Sequence, residues 1–442
     1  MKTEPLNRSE KYLIIASVVL LLAGIGFAYW HYAINVNPVV TIPPPPPMLS
    51  PNARDFYMQA FALRSATFGT VPGKTAGQKI PLSVSQAYEC THGGIISPPL
   101  GVNKGTPPPS LATLQAALRK NAPVFAKIHQ GFAYPYQEIP QRSFDEIGSN
   151  MLLRQLCLLC AVAGNVRGAA GDWDGAAERY LDAIRIGADA GSILCAREGR
   201  WELWTALGHL SGRQVRRGIR RLEAMRARRV PYTQRLREAK IDRQAALMAW
   251  FHEPNWRGYL FSAKIKYGSE YDSSRALRFS SKRAIMADYT RYMDALIAYA
   301  AQPYSAARAR PPLPANPISR ELASSGGNVR YLANNCQHDL LLISLALRAY
   351  ALDHGRYPTG LRALVSAYLK ILPPDPFANQ SFRYQLHGKS YQLYSIGPDG
   401  RDDGGTPSAD GKGNLPGTSP NSFVPPISEN STGDIVAGVN TN

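Results

Sequence analysis

An uninterrupted apolar segment near the N-terminus limits what this chain can fold into more than any other feature. From Tyr12 to Tyr29 there is no charged side chain, and Ser17 is the only hydroxylic one apart from the tyrosines. A helix of about 20 apolar residues crosses a hydrocarbon core of about 30 Å. We therefore predict a transmembrane anchor over residues 12–34.

The charges that flank this segment predict its orientation. Lys2, Arg8 and Lys11 precede it, and the next basic residue is Arg54. Because basic residues stay on the cytoplasmic side, the bulk of the chain is expected outside the cytoplasm, as a single-pass protein of the cell membrane. The alternative is a cleaved signal peptide, which has a shorter apolar region of about 7–15 residues and small residues at its cleavage site. The bulky residues at Tyr29–Tyr32 favour the uncleaved anchor.

The basic excess of the chain is concentrated in one region. Lys and Arg number 50 against 32 Asp and Glu, and twelve basic residues stand against three acidic ones between Arg213 and Arg243. Five of these arginines recur at helical spacings of three and four: Arg213, Arg216, Arg217, Arg220 and Arg221. They indicate either a solvated helix face or a surface for an anionic partner. Aromatic residues are scarce there, so no nucleic acid is expected.

The middle of the chain reads as helical. Pro43–Pro47 predicts an extended spacer after the anchor. Two apolar-periodic segments flank the tight connection Gly171–Asp174, and together they resemble a single tetratricopeptide-type hairpin. Cys157 and Cys160 fall inside an apolar helical run, which favours a core position over a redox motif.

The C-terminal part contains several short motifs in a fixed order. A periodic helix over 334–353 is followed by D-x-G-x-Y-P, a short helix over 361–368 and L-P-P-D-P-F. Two alternating strands, 382–386 and 391–395, then lead into Y-S-I-G-P-D-G-R-D-D-G-G. This order over 334–405, resuming at 434–436, resembles the globular part of the major pseudopilin of type II secretion. The resemblance implies a small α+β fold.

The N-terminal part departs from that family. A pseudopilin has a peptidase site of glycine and phenylalanine before its apolar helix, with glutamate at the fifth mature position. Here Gly26-Phe27 lies inside the apolar segment and His31 takes the place of the glutamate. We therefore expect an anchored helical protein that carries a pseudopilin-like module, without prepilin processing or polymerisation.

The loop Gly397–Gly405 is the candidate metal site. It places three carboxylates and four glycines in nine residues, and calcium prefers several oxygen ligands from a foldable loop. The resemblance implies Ca²⁺ bound by Asp399, Asp402 and Asp403, with Asp434 closing the site. The alternative is an acidic glycine turn without a ligand.

The predicted fold class is mainly α, with an N-terminal transmembrane helix, a helical-hairpin domain and a small α+β pseudopilin-like C-terminal module. The predicted bounds are a cytoplasmic tail 1–11, anchor 12–34, proline-rich spacer 35–50, helical domain 51–301, linker 302–326, module 327–436 and tail 437–442.

Motifs such as H-E-x-x-H and G-x-S-x-G are absent from the sequence. We expect a non-enzymatic protein that binds or assembles with envelope partners, linked to type II secretion or a pilus-like system. The alternative is an envelope hydrolase whose site comes from residues distant in sequence.

Overall fold

The protein is mainly helical in its computed structural model, as the sequence predicts. The structure describes residues 7–65, 67–68, 70–72, 79–92, 95–96, 108–142, 150–191, 193–256, 280–306, 308–323, 327–408 and 427–438.

The apolar segment forms one long helix, α1, from Arg8 to Tyr29, followed by a π-helical turn at Trp30–Ile34. Asn7 caps its start: the side chain accepts a hydrogen bond from the Glu10 N–H, and the Glu10 carboxylate accepts one from the Asn7 N–H. No residue of α1 is buried against the rest of the described chain. With a mean hydropathy of 2.3 over its apolar window, it is long and apolar enough to cross a membrane.

The predicted spacer forms no regular helix or strand after Ile34, and it is fastened to the part of the chain that follows. Ile34 is buried, and the Lys282 ammonium donates to the Asn37 side chain over 2.8 Å. The Arg142 guanidinium donates to the Pro43 carbonyl over 2.8 Å. The exposed prolines therefore lie along the helical body.

Helices fill the middle of the chain, with a small antiparallel sheet of strands β1 (Thr70–Pro72) and β2 (Lys79–Pro81). The helix bounds are α2 Ala53–Leu63, α3 Val84–Thr91, α4 Leu111–Lys120, α5 Ala122–Gly131, α6 Asn150–Ala169, α7 Trp173–Ala190, α8 Ile193–Ala206, α9 Gly212–Ala227, α10 Tyr232–His252, α11 Lys282–Ala300 and α12 Pro317–Ala323. The break between α4 and α5 falls at Asn121, so Pro123 lies in the first turn of α5, where a missing N–H removes no helical hydrogen bond.

The predicted hairpin is formed by α6 and α7, and α8 extends it. Gly171 takes a left-handed turn at φ +83°, and the Asp172 side chain caps α7 by accepting from the Gly175 N–H over 2.9 Å. A β-carbon on Gly187 would stand 2.4 Å from the Ala196 nitrogen, so α7 and α8 need glycine to approach this closely. Cys157 and Cys160 lie fully buried on α6, in the core as predicted.

The C-terminal part contains one long helix and two small sheets. Its elements are α13 Asn328–His354, a 3-10 turn Leu361–Leu364, β3 Pro374–Asp375, β4 Gln380–Ser381, β5 Arg383–His387, β6 Ser390–Ser395 and β7 Ile435–Val436. Strands β3 and β4 form an antiparallel pair. The other three strands form an antiparallel sheet in the order β5-β6-β7, in which Arg383 faces Tyr394 and Ser395 faces Ile435. The predicted hairpin and the return at 434–436 are therefore confirmed.

Two predicted helix bounds were wrong. Helix α13 begins at Asn328, six residues before the predicted residue 334. The predicted helix 361–368 is a single 3-10 turn, Leu361–Leu364, in which both leucines are buried. The left-handed Ser366, at φ 72°, then breaks the helical path.

Helix α13 is enclosed by the helical body and by the sheet. Sixteen of its residues are buried. One continuous core contains residues of α7 and α9, of α13 and of the strands, among them Leu181, Leu222, Leu341, Leu393 and Ile435. A separate core joins α10, α11 and α12, and α12 falls within the segment predicted as a linker. The predicted domain bounds stay a prediction, but the core around α13 crosses the predicted boundary at residue 327.

Candidate functional site in the acidic loop

The acidic loop starts where β6 ends, and its base is pinned to β7. Gly397 is left-handed at φ 70°, and a β-carbon there would stand 2.3 Å from the Gly433 carbonyl oxygen. The Ser408 N–H donates to the Asp434 carbonyl over 2.7 Å, and the Asp434 N–H donates to the Thr406 carbonyl over 2.8 Å. The backbone therefore holds both ends of the loop together.

Two of the four predicted ligands meet at this base. The Asp399 carboxylate accepts from the Gly433 N–H over 3.0 Å, next to Asp434 in the chain. Asp434 is fully buried, and one of its carboxylate oxygens accepts from the Gly405 N–H over 2.6 Å. The other oxygen, Oδ1, is buried and accepts no well-formed hydrogen bond among the described residues, although the Asp403 N–H lies close enough to lower the pKa of this carboxylate. A buried oxygen of this kind is costly unless a partner offsets it.

Asp402 is engaged by side chains of the sheet. Its carboxylate accepts from Arg383 Nε over 2.9 Å and from the Tyr394 hydroxyl over 3.0 Å. The hydrogen bond from Arg383 lowers the pKa of Asp402 below its ordinary value. Asp403 is exposed, and its carbonyl accepts from the backbone and hydroxyl of Thr406.

Three of the carboxylates lie close enough to influence one another. Burial, together with the negative charges of Asp402 and Asp403, raises the pKa of Asp434 to about 6. Within the part of the chain that the structure describes, however, no group of three or more His, Cys, Asp or Glu side chains is arranged to hold a metal ion. The buried Asp434 oxygen fits a hard cation, whereas Asp402 already has a guanidinium as its counter-ion. The calcium site stays a prediction.

Asp375 supports this loop, although the sequence analysis placed it only within the motif L-P-P-D-P-F. It is buried between two prolines, where its Oδ1 accepts from the Phe377 N–H over 2.9 Å and from the Ser395 hydroxyl over 2.7 Å. Its Oδ2 accepts from the Ile396 N–H over 3.3 Å. The carboxylate thus ties the proline turn to the residues directly before Gly397. An aspartate inside a turn sequence was the available signal.

The predicted basic face lies on α9, and ion pairs within the protein use much of it. Glu178 pairs with two of these arginines and Asp353 with a third. The pairs involve Arg216, Arg217 and Arg221. Arg213 and Arg220 are exposed on the same helix. The anionic-partner interpretation stays a prediction.

Two histidines pair with buried carboxylates that are distant in sequence. His129 Nε2 lies 2.8 Å from the Asp182 carboxylate, which also pairs with Arg179 and Arg221. His92 Nδ1 lies 2.7 Å from Glu202. These pairs lie against core helices, where they give the buried carboxylates a polar partner.

Comparison with known proteins identifies the C-terminal part. Residues 332–412 match the family described as type II secretion system protein G. The chain is 36% identical over 91 residues to the type II secretion system core protein G of Pseudomonas aeruginosa, a match that covers 16% of this chain and 63% of that protein. The chain thus spans less than two thirds of this relative. No solved structure matches significantly. The C-terminal part is pseudopilin-like, as the motif order predicts.

Proposed function

We propose that this chain is a membrane-anchored envelope protein whose pseudopilin-like module serves binding or assembly in type II secretion or a related pilus-like system. The family match over 332–412 carries this proposal. The burial of α13 supports a fixed component rather than a polymerising one, because α9 covers one part of the helix and the sheet another. A helix enclosed in this way is not available to pack in a filament. We propose no catalytic role.

A gene deletion tests the secretion role. In the source organism, loss of the chain should reduce secretion of proteins that depend on the type II system, and the full chain should restore it. A photo-reactive residue at Lys389, at the exposed turn between β5 and β6, should cross-link to a component of the secretion machinery. The same residue at Lys120, exposed at the end of α4, is the matched control. Unchanged secretion without any cross-link from Lys389 would refute the role.

The proposed topology places residues 1–11 in the cytoplasm and the body outside. It is supported by the length and exposure of α1 and by the charge step across it. A reporter active only outside the cytoplasm, fused after Ser50, should be active. Activity of a cytoplasm-only reporter at the same junction would contradict the orientation.

We further propose that the acidic loop binds Ca²⁺ through Asp399, Asp403 and Asp434, and through Asp402 once it leaves Arg383. The buried Oδ1 of Asp434 supports a hard cation. Calcium should raise the Tm of the detergent-solubilised chain above its value in chelator, because a ligand of the folded state alone stabilises it. Changing Asp402 and Asp403 together to Asn should abolish this shift, whereas the exposed helical control Asp55→Asn should retain it. If millimolar calcium leaves the Tm unchanged, the loop is only a turn.

A further inference from the structure

A cavity of about 620 Å³ lies between the helical body and the first turns of α13, and it shares no lining residue with the acidic loop. Its walls come from the segment after α5, the C-terminal end of α7, α8, the end of α9 and the start of α10. Among the described residues, six arginines line it against a single carboxylate, Asp189: Arg185, Arg200, Arg228, Arg229, Arg235 and Arg330. Such an excess of one charge favours a ligand of the opposite charge.

Two of these arginines are neutralised inside the protein. Arg185 Nε donates to both oxygens of Asp189 over 2.8 Å, and the Tyr57 hydroxyl donates to the same carboxylate over 2.6 Å. Arg229 makes a two-pronged contact with Asp339, at 2.6 and 3.0 Å. The other four lining arginines have no carboxylate partner within the described ranges.

Arg200 is the most constrained of the four. Its side chain is 1% exposed, and its one hydrogen bond to a described residue, from Nη2 to the Gln337 side-chain oxygen, is 3.2 Å long. Its Nε is buried and has no hydrogen-bond partner in the described part of the chain. Burial lowers the pKa of Arg200 to about 9, so it still carries its charge at neutral pH. A buried charge with an unpaired donor is stabilised by an anion that reaches it.

The remaining walls of the cavity are aromatic and apolar. The rings of Tyr232 and Tyr331 stack with their centroids 4.9 Å apart, and the Tyr331 hydroxyl donates a hydrogen bond to the Val230 carbonyl. Ile184 and Met225 add aliphatic surface. The volume lies within the range of about 300–1,000 Å³ that is usual for small-molecule sites, which combine apolar walls with few polar anchors.

We propose that this cavity binds a small organic anion, whose carboxylate or phosphate is held by Arg200 and the other unpaired arginines and whose apolar body lies against the tyrosine rings. Guanidinium groups suit both anions because their paired N–H donors match two oxygens at once. A ligand there contacts α7 and α13 together, so it would join the helical body to the pseudopilin-like helix. This inference does not rest on the secretion role.

The test uses the full chain in detergent, with benzoate and phenyl phosphate as probes. Both should raise the Tm increasingly with concentration and give a saturable calorimetric signal. Benzamide, which is neutral and similar in shape to benzoate, should do neither. Inorganic phosphate should bind at least about tenfold more weakly than phenyl phosphate, because it lacks the apolar body.

Variants assign the effect to the cavity. Arg200→Gln should weaken binding of both organic anions at least about tenfold, since it removes the buried donor. Arg235→Gln, at a less buried position, serves if the first variant does not fold. Arg213→Gln, on the exposed face of α9, should bind like the wild type. The proposal is overturned if neither organic anion binds, if benzamide or inorganic phosphate binds as well as they do, or if Arg200→Gln and Arg235→Gln bind normally.

Discussion

The hydrogen bonds of Asp375 give the sharpest test of how the pseudopilin-like module is held together. Its buried carboxylate accepts from Phe377, Ser395 and Ile396, and so joins the proline turn to the start of the acidic loop. We predict that Asp375→Ala is strongly destabilising and that Asp375→Asn is less so.

The magnitudes follow from the contacts. Alanine leaves two N–H groups and one hydroxyl without their acceptor in a buried place, and each such group costs about 1–3 kcal/mol. Since the Ser395 hydroxyl can turn to another acceptor, we expect a loss of about 3–5 kcal/mol. Asparagine keeps one oxygen but sets an NH₂ against one of the former donors. It also removes a carboxylate whose charged form is disfavoured by burial, which raises its pKa, and this offsets part of the loss. We therefore expect Asp375→Asn to lower the free energy of unfolding by only about 1–3 kcal/mol.

The assay is urea denaturation of the detergent-solubilised chain in chelator, at neutral pH. The exposed Asp403→Asn, in the same module, is the control and should stay within about 0.5 kcal/mol of the wild type. Because the folded pKa of Asp375 is raised, the folded state takes up its proton first as the pH falls. Wild type should therefore gain stability relative to Asp375→Asn as the pH falls through the folded pKa toward the unfolded value of about 3.9. If Asp375→Ala costs no more than the control, these hydrogen bonds do not hold the turn.

Three further predictions concern the helical core, each measured as the free energy of unfolding in urea. Gly187→Ala should cost about 1–3 kcal/mol, because its β-carbon would stand 2.4 Å from the backbone of Ala196. The control Gly208→Ala, which has open space around it, should be near neutral. Equal effects of the two substitutions would refute the close packing of α7 and α8. Burial, and after it the nearby arginines, lowers the pKa of His338 well below its ordinary value. The unfolded state therefore binds the proton first, and the free energy of unfolding should fall as the pH drops below about 6.5. If this pH dependence is unchanged in His338→Gln, the reasoning is contradicted. Burial alone would raise the pKa of Asp182, but hydrogen bonds from basic neighbours lower it. Asp182→Asn should thus cost about 3–5 kcal/mol at pH 7, and the difference should shrink below about pH 4; a constant difference would refute the pairing.

The burial of α13 against the helical body distinguishes this chain from a pilin-like module that folds by itself. Leu340, Leu341 and Leu345 are fully buried, and Gly218 of α9 lies against Leu345. The core therefore forms only when the helical body and the C-terminal part fold together. Variants of the module are best measured in the full chain for this reason.

The sequence by itself determined the features that depend on local pattern. The run from Tyr12 to Tyr29 specified a long apolar helix, because only uninterrupted hydrophobicity at that length produces one. Gly171-Asp172 specified the turn of the hairpin through a left-handed glycine and a capping carboxylate. The motif order of the C-terminal part predicted strands β5 and β6 to within two residues, because turn residues and alternation are read over a few positions. The prediction failed at 361–368, where the left-handed Ser366 ends the helical path after one 3-10 turn.

Only the tertiary structure decided which distant residues meet. It placed Asp399 beside the N–H of Gly433, paired Asp402 with Arg383, and buried one oxygen of Asp434 without a well-formed hydrogen bond among the described residues. It also gathered arginines of five segments around one cavity and buried Arg200 there. Sequence spacing carries no information on such encounters, because they arise when whole helices and strands pack on one another. Ion pairs in the fold then join groups that lie a hundred or more residues apart, as Arg229 and Asp339 do.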